Sequence, residues 1–272
     1  MKACISICIF LTMGMMLAVV AHAQETLWQQ LRAKADSLSD QRKYEQAISV
    51  SERALKVAEV TFGVYHQNVA TSLNELAVRY FRQGDYAAAQ PLLERALIIR
   101  ENTFGPSNMY LAESLNNLAE LYRVENKPAE AESLYKRAIG TWEAVLGPTH
   151  VAVAQSMSNL ALLYRDQRRF PEAETLLTRA LEIDEDQLGP QHLEVAKALD
   201  NLGVLYYREG KNKEAESSYK RALAILEKSL GPVHPYLVDT LENLSQLYKK
   251  TGRRAEAKEL DARIKKIRSA NQ

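Results

Sequence analysis

Four asparagines, Asn117, Asn159, Asn201 and Asn243, stand 42 residues apart. A carboxamide offers two donors and one acceptor, so a row of them can pair with the N–H and C=O groups of an extended peptide whatever its side chains. Glu75 and Ala33 break the series toward the N-terminus. The other use of a mid-helix asparagine is a bond to a neighbouring helix or to water. A basic row follows nearly the same period: Arg82, Arg123, Arg165, Arg208, Lys249 and Lys250. These cations can draw acidic side chains or a free C-terminus by charge-assisted bonds, or can offset the macrodipoles of helices that end there. Glu113, Glu120, Asp200, Asp239 and Glu242 lie among them, so a purely acidic partner is not implied.

Other chemistries fit less well. His66, His150, His192 and His234 share one slot of the 42-residue period. Copies of a slot in stacked helices lie at least roughly 8 to 10 Å apart. Zinc ligands must each approach one ion to about 2.0–2.1 Å, so a structural role at a helix start suits these histidines better. Asp184, Asp186 and Gly189 partly mimic a calcium loop, but Leu188 and Val195 stand where ligands are required. No Gly-rich phosphate loop, G-x-S-x-G elbow or H-E-x-x-H occurs. The expectation is therefore no catalytic residue, no metal and no cofactor.

The elements that must position the asparagines can be read from the period itself. Gly63, Gly105, Gly147, Gly189 and Gly231 repeat at 42 residues, as do Tyr80, Tyr122, Tyr164, Tyr206 and Tyr248. Alanines from Ala47 to Ala257 and arginines from Arg53 to Arg263 keep the same register six times. Within one repeat, Val153, Ala154, Met157, Leu160, Ala161 and Tyr164 fall on one face of a helix. A second stripe runs through Ala173, Leu176, Leu177, Ala180 and Leu181 to a polar place at Asp184. The tyrosines share the apolar stripe, which marks them as core filling. Each repeat is thus two helices. The turn between them pivots on Gly84, Asn126, Arg168, Gly210 and Gly252, four of which suit a left-handed helix terminus. After the second helix, Gly is followed by Pro at Pro106, Pro148, Pro190 and Pro232, which stops one helix and starts the next.

One helical hairpin cannot bury both its stripes, so successive copies must stack. The expected fold is all-α, a right-handed α-solenoid of six stacked helix-turn-helix repeats. Residues 24–63 form a degenerate N-terminal cap, residues 64–105, 106–147, 148–189 and 190–231 the next four repeats, and residues 232–272 the last with a C-terminal capping helix. Lys34 in the first repeat and Asp261 and Lys265 in the last replace apolar residues, as solvent-facing ends require.

The run Asn159-Leu160-Ala161-Leu162-Leu163-Tyr164, with Glu172-Ala173-Glu174, Arg179-Ala180-Leu181 and Leu188-Gly189-Pro190-Gln191-His192, resembles the 42-residue tetratricopeptide repeats of kinesin light chain. The resemblance covers residues 24–272. It implies that the first helices line a concave groove, at positions held in the fourth repeat by Gln155, Ser158, Asn159, Leu162, Arg165 and Asp166. It further implies that the asparagine slot binds peptide backbone or a terminal carboxylate. The expected site therefore comprises Asn117, Asn159, Asn201 and Asn243 with Arg123, Arg165, Arg208 and Lys249. The expected activity is non-catalytic holding of a protein or peptide partner. The alternative is an assembly subunit that contacts a larger complex through its convex face or its capping helices, at Lys258, Lys265 or Lys266.

The N-terminus places this scaffold in a compartment. Met1-Lys2 precedes an apolar run from Ala3 to Ala21 and then Ala21-His22-Ala23-Gln24, the pattern of a signal peptide at residues 1–23 cleaved after Ala23, with an uncleaved N-terminal anchor as the alternative. Both cysteines, Cys4 and Cys8, fall in that segment, so the mature chain would hold no thiol. A periplasmic or secreted bacterial protein is expected, with no membrane insertion after cleavage. The chain carries 35 Lys and Arg against 34 Asp and Glu, and loss of Lys2 balances them. Such a chain presents no global field to attract nucleic acid.

Overall fold

The computed structural model describes residues 22–105 and 108–270. The expected signal segment up to Ala21, including Cys4 and Cys8, and Pro106 of the Gly-Pro series lie outside the described residues. All regular structure among the described residues is helical. The chain forms two compact units that divide after Lys127. The N-terminal unit holds α1 (22–40), α2 (Tyr44–Phe62), α3 (Gln67–Gln83), α4 (Tyr86–Phe104) and α5 (Met109–Val124). The C-terminal unit holds α6 (Pro128–Leu146), α7 (Val151–Asp166), α8 (Phe170–Leu188), α9 (Leu193–Glu209), α10 (Asn212–Leu230), α11 (Leu237–Lys250) and α12 (Arg254–Ala270).

Within each unit consecutive helices pack against one another, and first helices of adjacent repeats also touch: α3 with α5, α7 with α9, and α9 with α11. The stripes read from the sequence make these contacts. Val153, Ala154 and Met157 of α7 are buried against Ala180 and Ile183 of α8, with Trp142 of α6 beside them. Val195, Ala196 and Leu199 of α9 meet Ala222 and Ile225 of α10 in the same way. Each fully buried Leu, Ile or Met contributes about 1.5–3 kcal/mol. Ala161 and Ala173 are completely buried, which lets the paired helices approach closely. In the N-terminal unit, Trp28 of α1 covers the first core, its indole N–H donating to Ser72 Oγ at 2.8 Å.

The helix ends follow from local chemistry. Arg168 takes φ +61°, so the turn after α7 is left-handed although the pivot is not glycine. Arg169 N–H then donates back to Tyr164 O at 2.8 Å, a 6→1 bond that closes the helix. His66, His150 and His192 are N-caps whose Nδ1 accepts the backbone N–H two residues on, at 3.1, 3.1 and 3.2 Å. Asn108 fills the same slot before α5, its Oδ1 accepting from Tyr110 N–H at 2.8 Å, which shows that the slot requires an acceptor rather than imidazole as such. The last helix carries the exposed Asp261 and Lys265 outward while Ile264 and Ile267 stay buried. Among the described residues no helix is long and apolar enough to cross a membrane.

Candidate functional site

Side-by-side packing of first helices decides what each asparagine can do. A shift of one repeat plus one residue sets the asparagine slot against the preceding first helix. Asn117 Nδ2 donates to Asn74 Oδ1 at 3.0 Å, and Asn243 Nδ2 donates to Asp200 Oδ2 at 3.2 Å. Glu75, which holds the slot in α3, accepts from Arg32 Nε at 2.9 Å. These three slots therefore join one repeat to the next. Asn159 and Asn201 differ: among the described residues neither carboxamide makes a hydrogen bond, and both line a cavity.

That cavity, about 410 Å³, opens between α7 and α9. The face of α7 contributes Gln155, Ser158, Asn159 and Leu162, four of the six groove positions expected in this repeat. Asn201 closes it from α9, with Lys197 and Glu194 nearer the start of that helix. Leu188 and Asp184 of α8 also reach it. Sequence reading thus placed two of its four asparagines at a cavity. Asn243 lies elsewhere in the C-terminal unit and Asn117 belongs to the N-terminal unit, each engaged with a neighbouring helix.

Arg123, Arg165, Arg208 and Lys249 of the basic row are engaged with acids of the chain. Arg123 pairs with Glu120 at 2.7 Å, Arg165 with Asp166 at 3.0 Å, and Arg208 approaches the same Asp166 at 3.8 Å. Lys249 meets Asp261 of the final helix at 2.8 Å, and Lys250 donates to Tyr207 O at 3.0 Å. None of them lines the α7–α9 cavity. The exposed pair Lys249–Asp261 contributes about 0–1 kcal/mol, whereas Arg123 and Arg165 are mostly covered.

In the sequence Asp184 is a polar interruption of a stripe and one residue of the incomplete calcium-loop likeness. It is 7% exposed, and burial pushes its carboxyl up to about 6. The negative charge of Glu194 adds to the rise, against smaller opposing effects of Lys197 and His192. The signal available in the sequence is the slot: Ala58, Arg100, Trp142, Asp184, Leu226 and Arg268 are its successive occupants. The one carboxylate among apolar and basic equivalents is the departure to notice. Among the described residues, no His, Cys, Asp and Glu side chains gather in threes to hold a metal ion.

A second regular network lies at the turns. Tyr164, Tyr206 and Tyr248 donate their hydroxyls to Glu132, Glu174 and Glu216 of the preceding repeat at 2.9, 2.9 and 3.1 Å. Arg169, Lys211 and Arg253 pair with the same glutamates at 2.8, 3.0 and 2.7 Å and lie over the tyrosine rings. Burial works against the Glu216 charge, but hydrogen bonds from Lys220, Arg253 and Tyr248 outweigh it and hold the carboxyl down at about 2. The tyrosines are therefore repeat-to-repeat clamps as well as filling. In the N-terminal unit Tyr122 uses Glu94, one helical turn beyond the equivalent Gln90. A shift of four residues keeps an acid on the same helix face.

Paired helices, left-handed turns, small residues at the crossing and inter-repeat bonds on the first-helix face define an α-solenoid of helix-turn-helix repeats. The tetratricopeptide repeat family model matches residues 29–102, 80–141, 110–186, 158–228 and 194–270, and the chain belongs to that family. No curated protein matches the chain in sequence. Among solved structures, BtubC (BKLC) from P. vanneervenii is 27% identical with a TM-score of 0.70, over 84% of this chain and 91% of that one. A Podosopora anserina kinesin light chain of nearly identical TPR-like repeats is 26% identical, TM-score 0.63, over 76% and 98%. PilW, a type IV pilus biogenesis factor, is 21% identical, TM-score 0.63, over 87% and 91%, a likeness of fold alone.

Proposed function

We propose that the chain is an exported, non-catalytic scaffold that holds an extended segment of a partner protein along its first-helix face, centred on the α7–α9 cavity. The observation that carries this reading is the unequal use of the asparagine slots. Asn117 and Asn243 are spent on joining repeats, whereas Asn159 and Asn201 present unengaged carboxamides to a cavity. A half-buried polar group gains by acquiring a partner, and a peptide backbone supplies matching donors and acceptors along its length. Tetratricopeptide repeats commonly serve protein interaction, which agrees with this use of the face.

The test is the double variant Asn159→Ala/Asn201→Ala. Its circular dichroism and melting should match the parent while its capture of peptides from a random display library falls. Undiminished capture would remove these asparagines from the mechanism. The complementary pair Asn117→Ala/Asn243→Ala should lower stability by about 1 kcal/mol per lost bond. Export is supported by the apolar run Ala3–Ala21 and by Ala21-His22-Ala23. N-terminal sequencing of protein recovered from envelope and culture fractions should begin at Gln24, and an intact Met1 would refute it.

A further inference from the structure

The slot that Asp184 occupies holds a second buried charge in the other unit, and comparing the two shows what is missing. Arg100 is fully buried, and its Nη1 donates within the chain to Ser114 Oγ at 2.7 Å and to Glu113 at 3.3 Å, although its Nε has no partner. Two repeats later those partner positions are Ala198 and Lys197. The alanine offers no bond. The Lys197 ammonium lies 3.5 Å from Glu194 on an exposed surface. Among the described residues Asp184 has no hydrogen bond and no ion pair. It is nevertheless more than nine-tenths buried and reaches the α7–α9 cavity. A buried carboxylate without a partner is costly, and its cost is relieved by a cation brought to it.

The surroundings select the kind of cation. A metal ion would want several acids or imidazoles, and none gather here among the described residues. The walls instead combine acceptors with apolar surface. Gln155, Asn159 and Asn201 line the same cavity as the acid and carry carboxamides, and Leu162 and Leu188 offer hydrocarbon. A long aliphatic stem ending in a charged head matches that combination. Glu194 at the rim adds negative potential on the approach.

We propose that the α7–α9 cavity captures one basic side chain, arginine or lysine, of the bound segment, with Asp184 as its counter-charge. This deepens the scaffold reading and rests on it: the asparagines hold backbone, and Asp184 supplies selectivity. The site is opposite in sign to the basic row at the ends of the first helices. A partner segment with a basic residue at this cavity and acidic residues farther along would satisfy both. Lys197 guards the entrance and competes with the incoming cation.

The experiment is selection of a random peptide display library on the purified protein, with elution by N-acetyl-arginine amide, followed by fluorescence anisotropy with the selected peptides. Enrichment for arginine or lysine at one position, and at least tenfold weaker binding after Asp184→Asn or after replacing that basic residue by glutamine, is the expected result. Lys197→Met should bind as tightly as the parent or more so. Circular dichroism of each variant verifies the fold. Peptides that bind through the face without a basic residue, or equal binding by Asp184→Asn, would overturn the counter-charge while leaving the scaffold intact. Failure to enrich any peptide would overturn both. Loss of binding in Lys197→Met would also overturn the assignment, because a cation cannot be what holds a cation.

Discussion

Asp184→Asn should stabilise the C-terminal unit at alkaline pH and cost it about 1 kcal/mol in acid. The carboxyl is raised from an ordinary 3.8 to about 6 in the folded protein, chiefly by burial. The folded state therefore binds its proton more tightly than the unfolded chain, and ionisation works against folding. Below about pH 3 both states are largely protonated and there is little cost. Above about pH 7 both are largely ionised and the folded state bears nearly all of it. Each pKa unit corresponds to about 1.4 kcal/mol, so the full cost is about 3 kcal/mol. The charges facing the group are Glu194, Lys197 and His192 on the α9 side, whereas α7 presents only the uncharged Gln155, Ser158, Asn159 and Leu162. An asparagine keeps the shape, removes the charge and leaves an amide that needs partners, which returns about 1 kcal/mol.

The expected net gain is thus about 2 kcal/mol at pH 8. Trp142 packs in the cluster that contains Ile183, so its fluorescence reports this region, and a Trp28→Phe background silences the other indole. Urea unfolding at pH 8 and about pH 3, followed through Trp142, gives the two differences required. A variant no more stable than the parent at pH 8, or a gain of the same size at both pH values, would refute the assignment of the cost to an ionised Asp184.

Two further substitutions probe the packing and the turns. A Cβ at Gly203 would lie 2.5 Å from the fully buried Tyr219 ring, so Gly203→Ala should lose the roughly 1 kcal/mol of helix propensity it gains and about 1–2 kcal/mol more. Tyr219→Leu should restore it, because Ala161 and Leu177 already coexist at these slots one repeat earlier, and additive losses in urea titrations would show the two positions uncoupled. Arg168→Gly should raise stability by about 1 kcal/mol, since a side chain at φ +61° is strained and glycine is not. An unchanged urea midpoint would mean that the turn carries no such strain.

The repeats, their two helices and their turns were legible because each is written five or six times at fixed spacing. Chance cannot mimic a period so long, and every copy confirms the local chemistry of the others. What one copy does differently was harder to read. The clamp from Tyr206 to Glu174 and Lys211 joins residues 32 and 37 apart, and no local propensity flags such a triad. The four asparagines looked alike in sequence, yet their roles depend on the residue 43 places earlier: Asn74 and Asp200 accept hydrogen bonds from Asn117 and Asn243, whereas the place before Asn201 is Ser158, with which it makes no bond among the described residues.

In such a fold the consensus residues must be spent on stacking, because each hairpin depends on its neighbours for burial. Selectivity is then left to the positions where one copy departs from the rest without harming the stack. The slot of Ala58, Arg100, Trp142, Asp184 and Leu226 illustrates this division. Leu226 packs into the apolar clusters on either side of it, and Trp142 packs against the α7–α8 core. Arg100 is paired with Glu113 and hydrogen-bonded to Ser114 of the next first helix. Only for Asp184, among these described residues, are the compensating positions filled by an alanine and by a lysine turned toward another acid. A charge retained in a buried place where leucine would stabilise the stack is a cost without a structural return, and a bound cation is the return that the surrounding chemistry can supply.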